Sequence, residues 1–303
     1  MVCSLVSDAA RMGYEVISVS GGEPFLYSGL LQVLRHSKSL GLRTTVTSNG
    51  YFLRPRWLDP LCDCLDILAI SLDGPRELHD KMRAAPGAFD RICAGLDNLR
   101  ASGLNFGFIH TVTQQTWQDM VWMADFASNA GARLLQFHPL EIAGRAEEKL
   151  ATMCPEEDVM AKAYLMAFAL ALKYNGSMTI QVDLMHAEEI LATPDLVYAG
   201  DLLENWQETS PAELLSLIVM EADGTVVPIS YGFSRNYQIC NLFQQKLNDS
   251  WPSFLREVYP AYRKLCRELF EEVSNKKPLF NWYEQIVSRS QLSALRVLEG
   301  PAA

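Results

Sequence analysis

The residues Ser20-Gly21-Gly22-Glu23-Pro24 close the apolar run Val16-Ile17-Ser18-Val19. A β-branched run ending at paired glycines predicts a buried strand that stops where the backbone makes an unusual turn. Without side chains, Gly21 and Gly22 let a ligand lie against the backbone, and Glu23 adds a carboxylate suited to an ammonium group. The plainer alternative is a turn with Glu23 paired to a lysine or arginine. Ser48-Asn49-Gly50, Ser71-Leu72-Asp73-Gly74 and the stretch from His138 and Pro139 to Arg145 are further polar clusters after apolar runs. Asn-Gly and Asp-Gly are also turn dipeptides, so Asn49 and Asp73 read equally as turn formers. His138 reads as a core histidine or a substrate contact. Arg145 suits a carboxylate or phosphate.

Alternating elements position these clusters. Strands are expected at 16–19, 42–47, 65–72, 105–112 and 133–137, with a strand-like segment at 178–182. Helices are expected at 2–13, 30–40, 56–62, 88–102 and 116–129, several stopped by glycine. Between 73 and 88 a charged loop is expected, organised by His79, Asp80 and Arg83. Such alternation implies βαβ crossovers and a parallel sheet, whose C-terminal edge collects the clusters on one mouth. Beyond residue 146 the rhythm changes. A long apolar helix from Pro155 to Tyr174 precedes a hairpin, Leu215–Glu221 and Thr225–Ile229 around Asp223-Gly224, and helices at 253–273 and 281–298.

The chain has 303 residues, 49% of them hydrophobic, enough for a sizeable core. A net charge of −10 argues against a nucleic-acid or anionic-membrane surface. No apolar stretch is long enough to span a membrane and no signal-peptide pattern opens the chain, so the expectation is a cytoplasmic protein. Seven scattered cysteines read as reduced thiols. No convergent acid–base pair is visible.

Together, ISVSGGEPFLY, TTVTSNG, LAISLDGPRELHDKMRAAPGAFDRICAGLDNLRASG, FIHTVT and LLQFHPLEIAGRA resemble the radical S-adenosylmethionine superfamily. The branch is similar to the pyrroloquinoline quinone synthesis radical protein and other SPASM-type enzymes that mature peptides and cofactors. The resemblance covers residues 1–146, and LIVMEADGTVVPISYG resembles the start of that branch's C-terminal extension. It implies an α/β fold: a partial (β/α)6 TIM-like barrel over 1–146, here lacking its first strand, plus a C-terminal α+β extension over 147–303. It further implies that Gly21, Gly22 and Glu23 hold the methionine amine of S-adenosylmethionine, with Pro24 shaping the turn. Ser48, Asn49, Ser71 and Asp73 would shape the rest of that pocket, and His138 and Arg145 would border the substrate. The family's reaction is reductive cleavage of S-adenosylmethionine by a [4Fe–4S] cluster, giving a 5′-deoxyadenosyl radical that takes hydrogen from substrate. The implied partners are a peptide or small-metabolite substrate and an electron donor such as a flavodoxin or ferredoxin.

One departure stands out. The family's CxxxCxxC cluster loop is absent, so no metal ligands are expected in this chain. Cys62-Asp63-Cys64 precedes a strand, on the edge opposite the mouth, and reads as packing. Two explanations follow. The favoured one is a chain whose real start lies upstream, because Val16–Val19 would otherwise present an uncovered apolar edge. The other is a relative that has lost the redox step and serves as a binding or scaffold protein.

Overall fold

The computed structural model describes residues 1–141, 151–194, 197, 209–276 and 278–299. Its apolar runs form a six-stranded parallel sheet in the order β1 (Val16–Val19), β2 (Arg43–Ser48), β3 (Ile67–Ser71), β4 (Phe106–Val112), β5 (Leu134–Pro139) and β6 (Thr179–Val182). Each strand falls within two residues of its expected bounds. Helix α1 (Val2–Arg11) opens the chain. The crossovers are filled by α2 (Leu30–Ser39), α3 (Pro55–Leu58), α4 (Arg76–Met82), α5 (Ala88–Ser102), α6 (Met120–Ala130) and α7 (Glu157–Lys173).

Burial explains the strand sequences. The middle of β3, Leu68-Ala69-Ile70, is buried as a continuous run, as expected for a parallel strand covered on both faces. Edge strand β1 instead alternates exposed and half-buried residues. Leu34, Leu58, Leu68, Ile70, Phe108 and Phe137 have no measurable exposure and form the centre of the core. Where β4 meets β5, a Cβ on Gly107 would lie 2.5 Å from the Leu134 carbonyl oxygen, so only glycine lets these backbones approach.

Two sequence expectations need correction. The charged segment after β3 is not all loop: Pro75 caps α4, with Glu77 in its first turn, where an acidic side chain favours the helix N-terminus. The single helix expected over 253–273 is two, Leu247–Glu257 and Tyr259–Lys276. Pro260 has no N–H with which to continue the first helix, and it is tolerated in the first turn of the second.

The chain forms two compact units, 15–183 and 1–14 with 184–303. The division falls after Asp183, whereas the sequence reading placed it after residue 146. The first unit contains the whole parallel sheet with α7. In the second, Met12 at the end of α1 joins a core with Leu215, Val226 and Phe233, and the Tyr14 hydroxyl donates to the Leu215 carbonyl at 2.8 Å. The expected hairpin is present as Ile218–Met220 paired antiparallel with Thr225–Pro228. No helix among the described residues is long and apolar enough to cross a membrane.

Candidate functional site

All six strands of a parallel sheet end on one edge, and three polar clusters stand there. The first lies between the ends of β1 and β2. Gly21 has φ +119°, a conformation that side chains rarely adopt, and a Cβ built on Gly21 or Gly22 would meet no atom within 4 Å. Both glycines are exposed, so the backbone here is an open shelf. Next to it, Glu23 Oε1 accepts from the Ser48 hydroxyl at 2.9 Å and from the Phe25 amide at 3.2 Å, while Oε2 accepts from the Asn49 amide at 2.8 Å. A carboxylate has about four lone-pair sites. Three are used here, which fixes the group and leaves acceptor capacity on Oε2.

Pro24 is buried at the first position of the 3-10 turn Pro24–Leu26, which Glu23 caps. Ser48 is buried too, and its hydroxyl is spent on Glu23 and on the Gly50 amide. Asn49 is exposed, and its Oδ1 accepts from the Tyr51 amide at 2.9 Å.

A second cluster lies between β3 and β4. Ser71 ends β3 half-buried. Asp73 is sealed, with 1% of its surface exposed. Arg83 grips it with both arms of its guanidinium, Nε to Oδ2 at 2.6 Å and Nη2 to Oδ1 at 3.2 Å, and the Thr111 amide donates to Oδ1 at 3.3 Å. Its own amide donates to His79 Nδ1. Burial works to raise the Asp73 carboxyl, but the His79 imidazole, Arg83 and Thr111 outweigh it and hold the group well below the usual carboxylate range. Asp80 accepts from the Gly87 and Phe89 amides and so ties this loop to the start of α5. Next to Asp73 on β4, His110 is fully buried, and burial holds its pKa below the ordinary value.

The third cluster joins β5 to β6. His138 Nδ1 lies 2.7 Å from Asp183 Oδ2, and Gln136 Nε2 donates to both Asp183 oxygens at 3.0 and 2.8 Å. Asp183 was not singled out in the sequence. A signal existed, because it follows directly on the strand-like segment 178–182. Arg145 lies outside the described residues.

The shelf and the carboxylate beside it fit an amino-acid-bearing ligand laid on the backbone, as S-adenosylmethionine would be. The cysteines do not fit an iron–sulfur cluster. Among the described residues no group of three or more His, Cys, Asp or Glu could hold a metal ion. Both cysteines precede β3: Cys64 is buried, with its thiol against the Pro60 carbonyl, and the Cys62 thiol points to the carbonyls of Leu58 and Ser102.

Residues 4–127 match the model of the radical SAM superfamily, a family of enzymes that implies S-adenosylmethionine and a [4Fe–4S] cluster as cofactors. Among curated relatives, the Fe-coproporphyrin III synthase of Methanosarcina barkeri is 26% identical over 289 residues, covering 91% of this chain and 68% of the relative. The PqqA peptide cyclase of Ruegeria pomeroyi is 28% identical over 150 residues, covering 49% of this chain and 40% of the cyclase. Among solved structures, Streptococcus suis SuiB bound to S-adenosylmethionine superposes with a TM-score of 0.65 at 15% identity, over 87% of this chain and 60% of SuiB. This likeness shows the fold, a six-stranded parallel sheet with helices in its crossovers, arranged as a partial barrel. The chain thus spans about two thirds of the synthase and less than that of the other two.

Proposed function

We propose that this chain binds S-adenosylmethionine on the Gly21–Gly22 shelf and acts in the modification of a peptide or small metabolite. The observation that carries the reading is the fixed Glu23 carboxylate beside open, side-chain-free backbone. Glu23 Oε2 would accept from the methionine ammonium, a charge-assisted contact of the stronger kind. Pro24 and Ser48 hold Glu23 in place. Asn49 and Ser71 would face the rest of the ligand, with Asp73 supporting the pocket wall through Arg83. His138 and Arg145 would border the substrate. The relatives' names support the two substrate classes, one being a synthase of an iron porphyrin and another a cyclase of a peptide. When bound, the family's cluster supplies the electron that cleaves S-adenosylmethionine. Among the described residues no group of His, Cys, Asp or Glu is placed to hold that cluster.

The absence of a suitable donor set among the described residues favours a second reading, a protein that keeps ligand binding without the redox step. Calorimetric titration of S-adenosylmethionine into the chain tests what both readings share. Saturable 1:1 binding, weakened about tenfold or more by Glu23→Ala, is expected for loss of a charge-assisted bond. No binding overturns both. Release of 5′-deoxyadenosine under reducing conditions would rule out the second.

A further inference from the structure

We propose that α7 carries a self-association face, and that its occupant is the same helix of a second copy of this chain, packed antiparallel across a two-fold axis. Helices that cover a sheet ordinarily bury one apolar stripe and present charge to water. Helix α5 does so, with Asp90, Arg91, Asp97 and Arg100 among its exposed positions. Helix α7 departs from this pattern. Ala163, Ala167 and Leu170 pack into the core beneath it. Its opposite face is apolar as well: Leu165, Phe168 and Leu172 are 67%, 61% and 65% exposed, and Ala161 and Ala169 beside them are exposed too. No charged residue falls between 163 and 172. Large apolar side chains gathered in one exposed stripe mark an interaction surface.

The stripe complements itself. Ala161, Leu165, Phe168 and Leu172 follow one another at steps of four, three and four, the spacing of a seam between two packed helices. When two copies of α7 run antiparallel with Leu165 of one opposite Phe168 of the other, the same register sets Ala161 opposite Leu172, and the two-fold axis repeats both layers. The central layers then pair Leu with Phe, and the outer layers pair a small side chain with a large one. A parallel pair would instead set Ala161 against Ala161 and Phe168 against Phe168, leaving a gap in one layer and crowding another. Charge favours the same orientation. The first turn of α7 holds Glu157 and Asp158, and its last residue is Lys173. Antiparallel packing brings these opposite charges, and opposite ends of the helix dipole, together, whereas parallel packing sets like beside like. Asp158 already pairs with Lys162, and Lys173 with Asp125, so these charges set orientation more than strength. A helix of 17 residues is about 25 Å long. One such face buries less than the roughly 800 Å² per partner of a standard interface, so the dimer is a weak one.

The test is sedimentation equilibrium of the whole chain, kept reduced, over about 1–200 μM. The expected result is a monomer–dimer equilibrium with a Kd of about 1–100 μM. Leu165→Glu and Phe168→Lys each put a charge into a central layer, at sites that are mostly exposed in the single chain, so both variants should stay folded by circular dichroism. Each should weaken self-association by about tenfold or more. Mixed together, the two should associate again with close to the affinity of the unmodified chain, because the introduced carboxylate then faces the introduced ammonium. Failure of the mixture to associate would overturn the antiparallel register. A chain that stays monomeric over the whole range, its face then being covered by a different partner or segment, would overturn the proposal without any variant. So would a dimer that neither variant weakens. Should either variant not fold, Ala161→Glu in the outer layer takes its place, with weaker association expected and no change overturning the proposal. None of these readouts involves S-adenosylmethionine, so the proposal stands or falls apart from the shelf reading.

Discussion

Glu23 and Asp73 stand at two corners of the same sheet edge, after strands β1 and β3, and their fates differ. Glu23 is half-buried, gripped by one hydroxyl and two backbone amides, all neutral donors, and keeps acceptor capacity toward open space. Asp73 is sealed and neutralised by a bidentate arginine. A carboxylate held by neutral dipoles remains an attractive site for a cation. One already paired with a guanidinium does not, and its energy goes into holding the loop. Position at a strand end therefore places a carboxylate near the mouth without deciding whether it meets a ligand.

The largest expected effect would break this contrast at the Asp73 corner. Asp73→Ala removes the sealed partner of the Arg83 guanidinium and of the Thr111 amide and should cost about 1–3 kcal/mol of stability, read by denaturant unfolding. A loss below about 1 kcal/mol would show that the pair is not structural. Acidification probes the same corner. Because the folded carboxyl titrates below its unfolded value, Asp73 contributes stability above about pH 4, and that contribution is lost as pH falls further. Asp73→Asn should flatten this acid limb of the stability curve.

At the Glu23 corner the effect should fall on binding. Glu23→Gln should weaken S-adenosylmethionine by about tenfold, and because its NH2 replaces an oxygen that accepts from a backbone amide, it should also cost about 1–2 kcal/mol of stability. The smallest effect is expected at Asn49, where Asn49→Ala removes one exposed side-chain bond to the Tyr51 amide. That should cost about 0.5–1 kcal/mol of stability, with a minor change in affinity. A loss of affinity exceeding that of Glu23→Gln would move the centre of the pocket from the glutamate to the asparagine.

The strands were legible because β-branched and aliphatic runs ending in glycine or polar clusters carry their signal locally, and the unusual turn after β1 was legible because glycine reaches the positive φ found at Gly21. What escaped depends on distant partners. The Asp183 carboxylate meets His138 across 45 residues, and its place after the strand-like segment 178–182 marks a strand end without naming that partner. The burial of Asp73 comes from Arg83 and Thr111, so its Asp-Gly context read as a turn or a ligand contact when the carboxylate in fact anchors a loop. Helix α4, seven residues long, was too short and too charged to show a periodic apolar face. The break at Val258 was hidden because Pro260 both ends one helix and starts the next.

The most direct test of the account is to titrate S-adenosylmethionine into the unmodified chain, Glu23→Gln and Asp73→Asn in parallel, at neutral pH and at a temperature where all three are folded. The account predicts binding by the unmodified chain, about tenfold weaker binding by Glu23→Gln, and near-normal binding by Asp73→Asn. Equal affinity in the unmodified chain and Glu23→Gln, or no binding in any of the three, would contradict it.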